Sequence, residues 1–309
     1  MRQMLLALSL LFFGGCSSKQ VYQSAMNFEK YRANVTTKEI TIEDGLTLSY
    51  LENSIKSDKT LVLIHGFGAN KENWLKLAQG FDEKYHLIIP DLIGDGESSK
   101  PLNISYDIES QTRRLHQFLS NFPNKKFILV GNSMGGQIAL NYAYHYKIKG
   151  LVLIASMGLE VKESYIDRLG TQKIREMYTN VCSLEKMQTI MQLGFYNPPS
   201  VPNFILEYLM QKKCKLSELE IHKYREILDD KLNLFENMTE ISKSTTIPTL
   251  ILWGQEDKII DIANAYAFHS YIKKSELIVI KNSGHMPMLE TPQKVAKGIM
   301  TFLSSHNLH

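Results

Sequence analysis

The sequence predicts an α/β fold, a mostly parallel sheet of about eight strands flanked by helices and carrying a helical insertion. Three observations point to it. Short aliphatic and β-branched runs alternate with helical patterns along most of the chain. A glycine-flanked serine, Gly131-Asn132-Ser133-Met134-Gly135, stands between one such run and a helix. The alternation is broken once, by an interval of roughly ninety residues, several times a normal crossover connection.

Taken in order, Met1 to Cys16 has one positive charge (Arg2), an apolar core from Met4 to Phe13, and then Gly14-Gly15-Cys16. That core is about half of the ~20 residues needed to cross a bilayer, so it reads as an export signal and not a spanning helix. Small residues leading into a cysteine resemble a bacterial lipoprotein signal, with Cys16 lipidated and Phe13 a bulky departure from the pattern. Ser17 after the cysteine, by the same resemblance, implies the outer membrane. The expectation is an exported lipoprotein held by its lipid chains. Residues 17–34 are polar without a clear period and read as a tether. The remainder divides into a core, 35–156 and 249–309, and an inserted cap, 157–248.

In the core, Lys38–Ile42 and Leu46–Leu51 flank the hairpin turn Glu43-Asp44-Gly45. Leu61–His65, His86–Pro90, Phe127–Gly131, Leu151–Ala155, Thr249–Gly254 and Glu276–Ile280 follow. Most are apolar throughout, as expected of parallel strands covered on both faces. Helical patterns span Tyr106–Asn121, Met134–Tyr146, Asp261–Tyr271 and Thr291–Leu303. The insertion has no convincing strand and is rich in Met, Leu, Ile, Tyr and Phe. It reads as helices over the carboxyl ends of the strands, where open α/β sheets bind ligands, with Asn197-Pro198-Pro199-Ser200-Val201-Pro202 as a rigid bend. Its methionines suit flexible acyl chains, although such a stripe also serves as plain core.

Net charge is +3 with both signs interspersed, and Lys125-Lys126 and Lys212-Lys213 read as solvated pairs, so no nucleic-acid face is expected. Cys182 and Cys214 lack metal-ligand spacing; in an exported chain they form either one disulfide or two buried thiols. Neither a metal nor a cofactor is expected.

The chemistry centres on Ser133. A strand, a sharp turn and a helix lift its hydroxyl above the sheet edge, and only very small residues fit two positions to either side. Serine needs a base, and the base needs a third group to hold its tautomer. His285 follows the last strand behind Gly284, and Asp257 stands on the turn after Thr249–Gly254. Asp261 instead reads as the N-cap of a helix beginning at Ile262. The oxyanion of the tetrahedral intermediate needs two amides. Met134 supplies one at the positive end of a helix, and Phe67, in His65-Gly66-Phe67-Gly68, supplies the other. That loop lacks the lysine and Ser/Thr of a phosphate-binding P-loop.

Together His65–Gly68, Asp91-Leu92-Ile93-Gly94-Asp95-Gly96-Glu97-Ser98, Gly131–Gly135, Trp253–Asp257 and Gly284-His285 resemble the α/β-hydrolase family, from about residue 40 to the end. Arg114–Leu119, Ser133–Gln137 and Ile251–Asp257 carry a closer likeness to monoacylglycerol lipases and related bacterial lipases. The resemblance implies an α/β-hydrolase fold and a serine esterase acting on glycerides or similar acyl esters, with Ser133, Asp257 and His285 as triad, and the membrane tether suits a substrate drawn from lipids. Ring-cleavage carbon–carbon hydrolases share Gly-Asn-Ser-Met-Gly-Gly but usually carry tryptophan after the histidine, where this chain has Met286. A perhydrolase, an acyltransferase and a lipid-binding lipoprotein on a hydrolase fold remain alternatives.

Overall fold

The computed structural model describes residues 17–81, 84–123, 125–159, 161–162, 171–228 and 231–308. The export signal and Cys16 lie outside the described residues. Eight strands form one sheet: β1 (Val35–Thr41), β2 (Thr47–Asn53), β3 (Lys59–Ile64), β4 (His86–Pro90), β5 (Lys126–Asn132), β6 (Gly150–Ile154), β7 (Thr249–Gly254) and β8 (Ser275–Ile280). Their order is β1-β2-β4-β3-β5-β6-β7-β8. β2 runs antiparallel to β1 and β4, and every other pair is parallel. All eight strands read from the sequence are present, with ends displaced by a few residues. The hairpin turn closes with the Gly45 amide on the Ile42 carbonyl at 2.9 Å, and Gly45 sits at φ +73°, a conformation glycine adopts without cost.

The central strands are apolar throughout because each face of the sheet has its own core. Val62, Ile64, Leu129, Leu151, Leu153, Ile251 and Trp253 pack on one face against helices Ile108–Leu119, Met134–His145 and Ala263–Tyr271. Leu61, Leu63, Ile128, Val130, Val152, Ile154, Leu250 and Leu252 pack on the other, beneath helices Leu75–Ala78 and Pro292–Ser305. Two periods of alternation, one per face, sum to a continuous hydrophobic run.

Residues 17–34, read as a tether, instead form the helix Ser18–Arg32, closed by a reciprocal cap between Ser17 and Gln20. Its contacts are largely polar: the Tyr22 hydroxyl donates to Glu72 at 2.7 Å, Lys30 pairs with Glu72 at 3.1 Å, and Gln79 donates to Glu29 at 2.7 Å. Only Met26 and Ala33 join the apolar core beside it. A helix held in this way leaves almost no hydrophobic period in the sequence.

The insertion contains helices Thr171–Thr179, Leu184–Gly194, Asn203–Cys214, Ser217–Leu228 and Lys231–Ser244. The Pro-rich stretch after Gly194 is the non-helical bend expected there. Cys182 and Cys214 form a disulfide with a Cα–Cα separation of 4.8 Å, joining the approach to one helix to the end of the next.

One buried ion pair holds the loops after β3 and β4 together. The Asp91 carboxylate accepts from the Lys71 amide at 2.7 Å, the Lys71 ammonium at 2.5 Å and the Glu97 amide at 2.7 Å. Lys71 reaches Glu97 as well, at 2.7 Å. Burial favours neutral Asp91, but the Lys71 charge and the donated hydrogen bonds outweigh it and hold the carboxyl below its ordinary range. Lys71 is raised in return, the two carboxylates overcoming the effect of burial. Lys71→Met, which strands the Asp91 charge, is expected to cost about 3–5 kcal/mol in denaturant unfolding. In the parent protein Asp91's contribution is fully present above the unfolded carboxylate value of about 3.9. It disappears as pH falls through the lowered folded value, so acid unfolding of Lys71→Met should begin at higher pH.

Candidate active site

Ser133 follows β5 at φ +55° and ψ −121°, a backbone conformation costly for any residue but glycine. Close packing enforces it. A Cβ on Gly131 would lie 2.2 Å from the Gly135 carbonyl oxygen, and one on Gly135 would lie 2.2 Å from that of Ile64. The Ser133 amide donates to Ile154 at 3.1 Å, and its carbonyl accepts from Gly136 and Met157 at 2.9 and 3.0 Å. Asn132, buried beside it, donates from Nδ2 to the Ile154 carbonyl at 3.1 Å and to that of His285 at 3.2 Å. The residue before the serine therefore ties the ends of β5 and β6 to the histidine loop.

His285 and Asp257 meet. Nδ1 of His285 lies 2.8 Å from Oδ2 of Asp257. The other Asp257 oxygen accepts from the amides of Ile259 and Ile260 at 2.8 and 3.0 Å. A fully buried carboxylate engaged in this way only accepts, so Nδ1 carries the proton and Nε2 keeps its lone pair. Asp261 plays the lesser part expected of it: Oδ1 caps the next helix through the Ala263 amide at 2.9 Å, one residue later than the sequence suggested. No hydrogen bond joins the Ser133 hydroxyl to His285 among the described residues. Such contacts are often long without substrate and tighten when it binds.

Glycine again permits the approach of the two loops. A Cβ on Gly254 would lie 2.1 Å from the Gly284 carbonyl oxygen. Glu256 closes the pair, its amide donating to the Ser283 carbonyl at 3.0 Å and its Oε2 accepting from the Ser283 amide at 2.9 Å. Glu290 accepts from the Gly284 amide at 2.7 Å, and from the amides of Tyr196 and Asn197 in the insertion at 2.9 and 3.2 Å. Sequence reasoning missed Asn132, Glu256 and Glu290 as supports. Each acts on backbone groups distant in the chain, and only the adjacency of Asn132 to Ser133 and of Glu256 to Asp257 hinted at a role.

The loop after β3 is set by His65, which is buried. Its Nδ1 donates to the Gly66 carbonyl at 2.8 Å, and its Nε2 accepts from the Leu92 amide at 3.0 Å. The amides of Phe67 and Met134, expected as oxyanion donors, donate to no other protein group among the described residues. The Phe67 ring is held edge-on by Tyr178 and Tyr224, with centroids 6.3 Å away in both cases.

Ser133, Met134, Phe67 and His285 all line one cavity of about 550 Å³. Met187, Ile190, Met191 and Leu209 of the insertion form much of its apolar wall, whereas Met177, Leu193 and Leu206 are core. The methionine-rich stretch therefore divides between cavity wall and core, with Met187 in both. Tyr22, Met26 and Glu29 of the N-terminal helix also line the cavity.

The model of the α/β hydrolase fold matches residues 59–175 and 168–292. The chain belongs to the α/β-hydrolase family. This α/β-hydrolase is 33% identical to Lipase 1 of Psychrobacter immobilis over 285 residues, covering 91% of this chain and 88% of that one. It is 30% identical to monoacylglycerol lipase ABHD6 of Homo sapiens over 261 residues, covering 80% and 76% respectively. The crystal structure of a membrane phospholipase A, described as a bacterial virulence factor, superposes with a TM-score of 0.84 at 28% identity over 99% of both chains. With these relatives the chain is a serine ester hydrolase.

Gly254→Ala is expected to push the His285 loop away from Asp257 and lower ester turnover by about 10²-fold or more, the usual scale for a misplacement near 1 Å. Turnover of a short-chain ester, beside a circular dichroism spectrum showing a retained fold, checks it.

Proposed function

We propose that this hydrolase cleaves lipid acyl esters of the monoacylglycerol type through Ser133, His285 and Asp257. The observation that carries the reading is the Asp257–His285 pair, with His285 lining the same largely apolar cavity as Ser133. His285 takes the Ser133 proton as the hydroxyl oxygen attacks the ester carbonyl. Asp257 stabilises the imidazolium, and the Phe67 and Met134 amides receive the oxyanion. The imidazolium then protonates the leaving alcohol, and the acyl group stays on Ser133. Water, deprotonated by His285, attacks the acyl-enzyme and releases the acid. A cavity walled by methionine, leucine and isoleucine accepts an unbranched chain with little steric demand.

The membrane tether belongs to the same proposal. Cys16 is the lipidation site, and the outer membrane is its destination. The helix Ser18–Arg32 begins two residues later and contributes to the cavity wall, so a lipid at Cys16 would bring the cavity to the bilayer surface where such substrates reside.

A p-nitrophenyl ester series from acetate to palmitate, run beside monoacylglycerols and a ring-fission diketone, tests the assignment. Medium- and long-chain esters and monoacylglycerols are expected to dominate; preferential turnover of the diketone would replace ester hydrolysis with carbon–carbon cleavage. Ser133→Ala should lower kcat about 10⁶-fold and abolish labelling by a fluorophosphonate. Asp257→Asn, which leaves the geometry but favours the wrong imidazole tautomer, should cost about 10⁴-fold.

A further inference from the structure

The cavity contains a cation that this chemistry leaves unused. Lys213, next to last in the helix Asn203–Cys214, lines the cavity together with Lys212. It is not the solvated surface lysine its sequence neighbourhood suggests. Its Nζ lies 2.8 Å from the point a Cβ on Gly68 would occupy, so it rests against the loop that carries the Phe67 amide. Gly68 is at φ +61°, and the missing side chain leaves the ammonium its place.

Each carboxylate lining the cavity has a cation within 4 Å. Glu29 pairs with Arg32 at 3.6 Å, Glu72 with Lys30 at 3.1 Å and Asp261 with Lys162 at 3.2 Å. Asp95 and Glu220 share the fully buried Lys223, at 2.6 and 3.3 Å. Lys213 has no ion pair or hydrogen bond among the described residues. Burial draws its pKa below the ordinary lysine value, the attraction of Glu220 opposing this and the Lys223 charge adding to it. With Lys212 at the rim, three lysines face the two carboxylates of Asp95 and Glu220 in this corner, which leaves it cationic. A half-buried ammonium that lacks a hydrogen-bond partner is poorly stabilised, and an anion entering beside it supplies one.

We propose that Lys213 forms a subsite for a phosphate ester carried by the acyl-ester substrate, making an anionic lysophospholipid a better substrate than the corresponding neutral glyceride. Lysine binds phosphate as a compact point charge, and a phosphate on the glycerol is the anionic group that distinguishes the two lipid classes. The inference rests on Ser133 as the point of ester cleavage.

The test compares kcat/KM for 1-palmitoylglycerol 3-phosphate and 1-palmitoylglycerol, molecules that differ only in the phosphate. The ratio should favour the phosphate ester in the parent, fall about tenfold or more in Lys213→Met, and be largely kept in Lys213→Arg, since a hydrogen bond to a charged group is worth about 1.5–3 kcal/mol. A ratio unchanged in Lys213→Met overturns the subsite. Should that variant not fold, inhibition of p-nitrophenyl ester turnover in the parent decides: glycerol 3-phosphate should inhibit far better than glycerol, and equal inhibition overturns the proposal. Inorganic phosphate as effective as glycerol 3-phosphate would overturn the head-group assignment. Equilibrium binding of the phosphate lipid to Ser133→Ala, with and without Lys213→Met, separates the two readings. Binding that depends on Lys213 upholds the subsite even if the parent cleaves no ester, an outcome that would sink the Ser133 chemistry alone.

Discussion

At Gly131, Gly135 and Gly254 a single added methyl group would lie 2.1–2.2 Å from a backbone carbonyl oxygen of a neighbouring segment. The structure around Ser133 depends on this contact of backbone with backbone. The turn after β5 can press against β3 only because Gly135 has no side chain, and the loop after β7 reaches the loop after β8 only because Gly254 has none. Side chains between these segments would separate them by more than a hydrogen bond can span. The Asp257–His285 contact is thus a consequence of main-chain packing and owes little to the flexibility of either side chain.

Buried charge does for the neighbouring loops what glycine does for these. Lys71 binds Asp91 and Glu97 beneath the loop after β4, and Lys223 reaches from the insertion to Asp95 at the same loop. Lys223 also stands 5.1 Å from the centre of the Phe67 ring, a cation–π distance. The insertion is therefore anchored to the segment that carries Phe67 by a charge that cannot slide away without leaving Asp95 unpaired.

Much of this was legible in the chain. The eight strands could be read because burial on both faces makes them uniformly apolar, and the turn at Ser133 because steric demands there leave glycine alone at two fixed positions. The Asp257 and His285 positions followed from strand order. The helix Ser18–Arg32 escaped because polar contacts to Glu72 and Gln79, not an apolar stripe, hold it down. Lys213 looked like any surface lysine beside Lys212, since its surroundings are Gly68 and Glu220, one of them far away in sequence. The pairing of Cys182 with Cys214 depended on how the intervening helices fold back, which no local pattern encodes.

That covalent bond ties the maturation of the protein to its chemical surroundings. The link holds the end of the helix bearing Lys212 and Lys213 to the segment leading into Leu184–Gly194. In a reducing cytosol both sulfurs stay as thiols, and a newly made chain lacks the clamp that fixes this wall of its cavity. Material made in a reducing compartment would then lack a constraint that oxidised material carries, although their amino-acid sequences are identical.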